Sequence, residues 1–182
     1  MRLVITQNMT ADGAIEMLDD WFDPSDSDEE LAAEQRRQDE TCDAVLLGRQ
    51  TFEDFRGYWP DQVGSDTTGV AEQLNRVAKF VVSSTLTDPQ WRNSTVLAGD
   101  PVEEVGRVKQ LSGNDVVLTG SISLAHLVIA QGLVDEFRMF VYPAVLGRGR
   151  RFFPEGYATS LELVDCRRFS CGVTYLAYRP VG

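Results

Sequence analysis

The order of apolar patterns along the chain restricts it to one class of fold. Short apolar runs typical of strands alternate with segments of helical period as far as about residue 142, and two β-rich runs follow in residues 161–180. Alternating strands and helices form a mainly parallel sheet covered by helices on both faces. The last two runs flank the glycine turn at residues 170–172 and predict an antiparallel hairpin. The sequence therefore predicts an α/β fold with eight strands.

Capping residues mark where helices begin. In "DPVEEVGRVKQL", Asp100 stands at the N-cap, Pro101 at the first helical position and Glu103 three residues after the cap. Further helices are predicted over about residues 28–41, from about Asp66, and within "SISLAHLVIAQG". No linker or internal repeat interrupts this series, and the chain length suits a single domain over residues 1–182.

Charge and composition argue against several classes of function. The formal net charge of -11 disfavours a nucleic-acid or anionic-membrane surface, because phosphate-rich partners select basic proteins. No apolar stretch approaches the ~20 residues of a membrane span, and the start "MRLVITQNMT" turns polar too early for a secretory signal. Three cysteines without a CxxC pair and one histidine argue against disulfides and a zinc site. We expect a cytoplasmic protein with a small-molecule substrate, without metal, nucleic acid or membrane.

Small and hydroxyl-bearing residues follow three of the predicted strands. Ligands of open α/β sheets bind outside the carboxyl ends of the strands. Glycines allow close approach to the backbone, while hydroxyls, arginine and helix N-termini bind phosphate oxygens. A single Gly-Ser pair is more often an ordinary helix cap, and a single arginine is as often a surface ion pair. Recurrence at three strand ends favours a phosphorylated cofactor, and the three segments are Gly48-Arg49-Gln50-Thr51, Ser83-Ser84-Thr85 and Thr119-Gly120-Ser121-Ile122-Ser123.

The cofactor fold is not one of the two commonest, because GxGxxG and GxxxxGK[ST] are both absent. Instead, six segments together resemble the dihydrofolate reductase-like superfamily, most closely the branch that contains the reductase domain of bacterial riboflavin biosynthesis. The resemblance implies a three-layer fold with an eight-stranded sheet, NADPH as hydride donor, and a homodimer. The six segments are "VITQNMTADGAI", "VLLGRQTFE", "KFVVSSTL", "VVLTGSISLAHLVIAQGLVDEF", "YPAVLGRGRRFF" and "FSCGVTYLAY".

The resemblance also assigns site residues by position. Asp12, in the loop beside the nicotinamide, is the candidate polar group near the reaction. Trp21, in an acidic loop on the same side, is a candidate for stacking on a flat substrate, although loop aromatics also serve as plugs for the core. Pro143, Leu146 and Gly147, in the loop after the long strand, complete the substrate-binding set. The cofactor-binding set is Thr10 and Gly13 beside the nicotinamide, Gly48, Arg49 and Thr51 at the first phosphate turn, Ser83, Ser84 and Thr85 near the adenosine 2′-phosphate, and Gly120, Ser121, Ile122 and Leu124 under the pyrophosphate.

The chain departs from its relatives in two ways. It lacks the HxE and PCxxC motifs of the zinc deaminase domain that often accompanies the riboflavin enzyme, so we do not expect a bifunctional enzyme. An aspartate-rich loop, residues 19–28, would repel a phosphorylated substrate unless the arginines of "LGRGRRFF" offset it. Asp26 belongs to this loop, and the arginines are Arg148, Arg150 and Arg151.

Three functions stay open on the sequence alone. The first is hydride transfer to a small heterocyclic, imine or carbonyl substrate, as in the riboflavin-pathway reductase. The second is a pterin-type reductase, whose substrate carboxylate would be Asp28, Glu29 or Glu30, although an acidic helix start stabilised by the helix dipole explains the same residues. The third is a non-catalytic protein that only binds a nucleotide.

Overall fold

A single eight-stranded sheet organises the protein. The computed structural model describes residues 1–23 and 28–181. Its strands are β1 Arg2–Thr10, β2 Cys42–Gly48, β3 Ala78–Val82, β4 Ser94–Leu97, β5 Asp115–Leu118, β6 Glu136–Tyr142, β7 Ser160–Arg168 and β8 Thr174–Val181. Its helices are α1 Glu29–Asp39, α2 Arg49–Tyr58, α3 Val70–Arg76, α4 Pro101–Lys109 and α5 Ile122–Ala130, with a 3-10 turn at Trp59–Asp61.

The strand order is β4-β3-β2-β5-β1-β6-β8-β7. The first six strands of that order pair in parallel, and β8 pairs antiparallel with both β6 and β7. The parallel strands therefore place their carboxyl ends at one edge of the sheet. The predicted mixed, mainly parallel sheet with a C-terminal hairpin is confirmed.

Helices cover both faces of the sheet because side chains alternate along each strand. Leu3 and Ile5 of β1 pack with apolar residues of α4 and α5, whereas Val4 packs with those of α2 and α3. Leu31 of α1 packs on Phe140, on the same side as Val4. The predicted three-layer arrangement is confirmed. Among the described residues, no helix combines the length and apolar character needed to cross a bilayer.

Capping interactions explain why one predicted helix start is correct and another is wrong. Asp100 Oδ1 accepts hydrogen bonds from the N–H groups of Val102 and Glu103 at 3.0 and 3.1 Å, as predicted for the start of α4. The predicted start near Asp66 is wrong, because α3 begins at Val70. The Asp66 carboxylate accepts from the backbone outside the helix and from Ala71 N–H at 2.8 Å, and Gly69 has φ +87°, which interrupts a helix.

Candidate active site

Two helices begin side by side at the carboxyl ends of the neighbouring strands β2 and β5. α2 starts directly after β2, and α5 starts a few residues after β5. The N-cap residues are Gly48 and Ser121, and neither provides a side-chain cap. The first N–H groups of an α-helix lack partners within the helix and carry the positive end of its dipole. Two such ends at one edge of the sheet form a setting suited to an anion.

The Ser121 hydroxyl holds these two helix starts together. It accepts a hydrogen bond from Gly48 N–H at 2.7 Å and donates one to Thr51 Oγ1 at 2.9 Å. Ser121 is buried, so both bonds are shielded from water. Ser121 is therefore not an ordinary capping serine: its hydroxyl serves the neighbouring helix. The structure thus brings together the predicted residues of two separate strand ends.

Gly120 leaves open the space between the two helix starts. Its φ is +74°, a backbone conformation that favours glycine, and a Cβ there would lie 3.0 Å from Thr51 Cγ2. Its N–H donates to the Gln7 side-chain oxygen at 3.3 Å. Gln7 was not predicted as a site residue, although a polar residue inside a central strand is a usable signal. Ile122 and Leu124 lie in the first turn of α5, and the Leu124 side chain is buried in the core, so only its backbone N–H could face a pyrophosphate.

The Arg49 side chain contacts the segment that follows β3, through the hydroxyl group of Thr85. Arg49 donates to Thr85 Oγ1 at 2.7 Å and to Glu53 at 2.9 Å. Ser83 Oγ accepts from the N–H of Thr85 at 3.2 Å, which shapes the turn, and Ser84 and Thr85 are exposed. The predicted cation and its neighbouring hydroxyls are therefore adjacent and accessible. Glu53 was not predicted, although its position four residues after Arg49 in a helix predicts this ion pair.

Asp12 joins the loop after β1 to the loop after β6. Its carboxylate accepts from Arg151 at 2.7 Å, from Thr10 Oγ1 at 2.6 Å, and from the N–H groups of Gly147 and Leu146 at 2.8 and 3.2 Å. The Arg151 side-chain hydrogen bond, followed by those of Thr10 and Gly147, holds the pKa of Asp12 well below its usual range. A carboxyl group held ionised in this way is a poor proton donor. Its contacts are those of a residue that positions two loops.

The arginines that follow β6 are paired with carboxylates of the loop after β1. Besides Arg151 with Asp12, Arg150 Nε donates to Glu16 at 2.7 Å and Arg148 to Asp19 at 2.6 Å. Hydrogen bonds from the Arg150 backbone and side chain lower the pKa of Glu16. These arginines therefore neutralise three loop carboxylates and tie two loops together.

An aromatic cluster lies where β6 ends. The Trp21 and Phe22 rings each meet Tyr142 edge-on, with centroids 5.5 Å apart, and Trp21 Nε1 donates to the Glu16 carbonyl at 3.1 Å. Pro143 is exposed next to Tyr142, close to the hairpin turn at Gly172. The geometry fixes the Trp21 ring beside the predicted nicotinamide loop. Its stacking on a substrate stays a prediction.

Asp28 is a helix cap, which bears on the pterin hypothesis. Its carboxylate accepts from Leu31 N–H at 3.0 Å, from Ser170 Oγ at 2.6 Å and from Cys171 N–H at 2.9 Å. The Ser170 bond, followed by that from Leu31, holds the pKa of Asp28 well below its usual range. These contacts favour the interpretation of an acidic helix start. Asp26 of the acidic loop lies outside the described residues.

Comparison with known proteins assigns the family. The model of the RibD C-terminal domain matches residues 2–175. The chain belongs to the RibD C-terminal domain family. The uncharacterized Bacillus subtilis protein YyaP is 35% identical over 138 residues, which are 75% of this chain and 73% of YyaP.

Two solved structures share the fold. A Shewanella sp. PV-4 protein assigned to riboflavin biosynthesis has a TM-score of 0.73 and 20% identity, with 100% of both chains covered. The Enterococcus faecalis dihydrofolate reductase complexed with NADP(H) has a TM-score of 0.67 and 17% identity, with 100% of this chain and 97% of the reductase covered. The resemblance inferred from the sequence, to the dihydrofolate reductase-like superfamily and its riboflavin branch, is confirmed.

Proposed function

We propose that this protein is an NADPH-dependent reductase that transfers a hydride to a small heterocyclic, imine or carbonyl substrate. The observation that carries the proposal is the pair of helix N-termini without side-chain caps, held together by Ser121. Gly120 keeps the space between them open, which fits a pyrophosphate. Membership of the RibD C-terminal domain family supports a reductase-type oxidoreductase. The fold shared with a reductase complexed with NADP(H) supports the cofactor class.

The residues of this chain have separate tasks in the proposed reaction. NADPH, when bound, supplies the hydride at C4 of its nicotinamide ring. The starts of α2 and α5 hold the pyrophosphate, and Arg49 with Thr85 holds the adenosine 2′-phosphate. The loop of Thr10 and Gly13, fixed by Asp12, positions the nicotinamide. The aromatic cluster of Trp21, Phe22 and Tyr142 excludes water from the reacting face.

The substrate class follows from the charges near this face. Each arginine after β6 is paired with a carboxylate, so that segment has no uncommitted cation to offer a substrate phosphate. Of the three carboxylates that the pterin hypothesis offers, Asp28 is used in capping α1, while Glu29 and Glu30 are exposed in the first turn of that helix, as an acidic helix start predicts. We therefore favour an unphosphorylated heterocycle. The homodimer implied by the resemblance stays a prediction, for which sedimentation equilibrium is the measurement.

Purified protein should oxidise NADPH with an unphosphorylated heterocyclic imine or carbonyl compound at least about tenfold more efficiently than with its phosphoribosyl counterpart. The reason is repulsion by exposed loop carboxylates such as Asp20, since Arg148 pairs with Asp19 instead, and each close pair of like charges costs on the order of 1 kcal/mol. The measurement is kcat/KM for matched pairs of compounds. Efficient turnover of the phosphorylated member, or rescue of a riboflavin auxotroph that lacks the reductase, would overturn the substrate class. NADPH binding without turnover of any compound would favour the non-catalytic alternative.

Asp12→Asn should lower kcat/KM by about tenfold through loosened loops, while the pKa values that govern the pH–rate profile stay unchanged. The pKa of Asp12 is lower in the folded protein than in the unfolded chain, so ionised Asp12 stabilises the fold above about pH 4 and this contribution is lost as the pH falls. The thermal midpoint of the parent protein should therefore fall more steeply below about pH 4 than that of Asp12→Asn.

Glu16→Gln is the matched control for Asp12→Asn, because Glu16 joins the same two loops through Arg150. It should lower kcat/KM similarly if loop positioning is the cause. A loss of about 100-fold or more confined to Asp12→Asn, with one limb missing from the pH–rate profile, would instead establish Asp12 as the proton donor.

A further inference from the structure

A second cleft, of about 280 Å³, lies at the opposite end of the sheet from the proposed active site. Its walls come from the last turn of α1 and from β6, β7 and β8, and it includes Arg2 at the start of β1. β1 runs from Arg2 at this end to Thr10 of the candidate active site, a span of roughly 26 Å at ~3.3 Å per residue. The cleft extends along β8 as far as Tyr175, which lies opposite Phe140 of β6. Its Arg2 end is therefore remote from the candidate active site.

Arginines outnumber carboxylates around this cleft. Asp115 and Glu136, both buried, share three guanidinium groups. Arg2 and Arg138 each contact both carboxylates, at 2.8–3.1 Å, and Arg179 contacts Glu136 at 3.2 Å. The ion-paired groups on this wall are three cations and two anions, an excess of one positive charge in a chain whose formal net charge is -11. One further anion, the exposed Glu162, lies opposite Arg179 in the β7–β8 register. Such an excess favours an anionic ligand.

The opposite wall of the cleft is balanced. Glu34 is paired with Arg37 at 2.7 Å and with Arg167 at 2.9 Å, and Asp165 is paired with Arg167 at 2.9 Å. Two cations face two anions there. The excess charge therefore stays on the side formed by β1, β6 and β8.

Arg138 carries an unused donor in the wall of this cleft. It is only 6% exposed, its Nε donates to Glu136 at 2.8 Å and its Nη2 to Asp115 at 2.9 Å. Within the described part of the chain, its buried Nη1 has no hydrogen-bond partner. A buried guanidinium N–H without a partner is destabilising unless a ligand or water accepts from it. Burial raises the pKa of Tyr175, which also lines the cleft, to about 12, so its hydroxyl remains protonated at neutral pH.

We propose that this cleft binds a small oxyanion, the carboxylate or phosphate group of a small molecule, through Arg138 Nη1 and the half-exposed guanidinium group of Arg179, which shares Glu136 with two other arginines. Arg138 is fixed in place by two buried carboxylates, so it pays little conformational entropy on binding. Arg179 lies at the surface and completes the shell around the anion, whereas Arg37 is paired with Glu34. The ligand reaches a site that is distinct from the proposed NADPH site.

The test is a titration followed by amide NMR at constant ionic strength, with inorganic phosphate in one series and succinate in the other. The resonances of Gln38, Arg138 and Ala177 should shift saturably with at least one probe, and the two series distinguish phosphate from carboxylate recognition. Arg179→Gln should raise the dissociation constant about tenfold, because one charge-assisted donor is lost. The fold should tolerate this change, since Glu136 keeps Arg2 and Arg138.

Two further variants distinguish binding in the cleft from non-specific attraction of anions to the protein surface. Val164→Phe fills the cleft without changing a charge and should also weaken binding about tenfold. Arg107→Gln removes an exposed arginine of α4, far from the cleft, and should leave the dissociation constant unchanged. The proposal is overturned if the three cleft resonances do not shift with either probe. It is also overturned if Arg107→Gln weakens binding as much as Arg179→Gln, or if Val164→Phe binds like the parent.

Discussion

Gly120→Val should raise the dissociation constant for NADPH at least about 100-fold, while the sheet still forms. A valine side chain there would occupy the space between the starts of α2 and α5, where we place the pyrophosphate. It would also adopt a positive φ, which costs about 1–2 kcal/mol for a residue with a Cβ. The dissociation constant is measured by calorimetric titration, and circular dichroism reports the fold.

Gly132→Val is the matched control for the cost of placing a residue with a Cβ at positive φ. Gly132 lies just beyond the end of α5, its φ is +65°, and a Cβ there would have no other atom within 4 Å. The Gly132→Val variant should therefore lower the thermal midpoint without changing the dissociation constant for NADPH. If Gly120→Val binds NADPH like the parent, Gly120 is only part of a turn. If Gly132→Val weakens NADPH binding equally, the cause is backbone strain and not the filling of the space between the starts of α2 and α5.

A double variant separates the steric clash inside the protein from the loss of space for the ligand. In Gly120→Ala, the new Cβ would press on the Thr51 Cγ2 methyl group at 3.0 Å, and Thr51→Ser removes that methyl. The double variant should recover thermal stability while NADPH binding stays weak. Recovery of both would mean that Gly120 matters only for packing against Thr51.

The fold could be predicted because its signals are local. The central strands β2 and β5 are short apolar runs, and Asp100 with Pro101 specifies the start of α4 within a few residues. The helix predicted from about Asp66 begins later than the local pattern indicates. The Asp66 carboxylate closes a turn before the helix, and the left-handed Gly69 delays the start of α3.

The candidate site could be predicted only as far as its residue types. The glycines and hydroxyls at three strand ends were evident, because parallel strands bring their carboxyl ends to one edge. The partners of those groups were not. Ser121 bonds to Thr51 and Asp12 to Arg151, pairs that are 70 and 139 residues apart. From the local sequence, Ser121 is expected to cap its own helix and Asp12 to have no fixed partner. Their actual partners are determined by the packing of segments that are distant in sequence.

Arg49→Ala should weaken NADPH binding by about ten- to 100-fold and barely change NADH binding. The two cofactors differ by one 2′-phosphate, and discrimination needs a cation with hydroxyl donors at the adenosine end. Arg49 lies against Thr85 at the end of the neighbouring strand, exposed enough to reach such a phosphate. One charge-assisted hydrogen bond is worth about 1.5–3 kcal/mol, which sets the expected factor. Dissociation constants for both cofactors are the measurement.

Glu53→Gln also tests the assignment of Arg49 to the 2′-phosphate, because it frees the guanidinium group instead of removing it. Glu53 holds Arg49 at 2.9 Å, so its neutral replacement should release the guanidinium and leave NADPH binding equal or tighter, with NADH unchanged. Arg107→Ala is the charge control, since Arg107 is also an exposed helical arginine in an i,i+4 pair. It should affect neither cofactor. Equal losses for NADPH and NADH in Arg49→Ala would assign Arg49 to the shared pyrophosphate or to the fold, because a contact with the 2′-phosphate weakens NADPH alone.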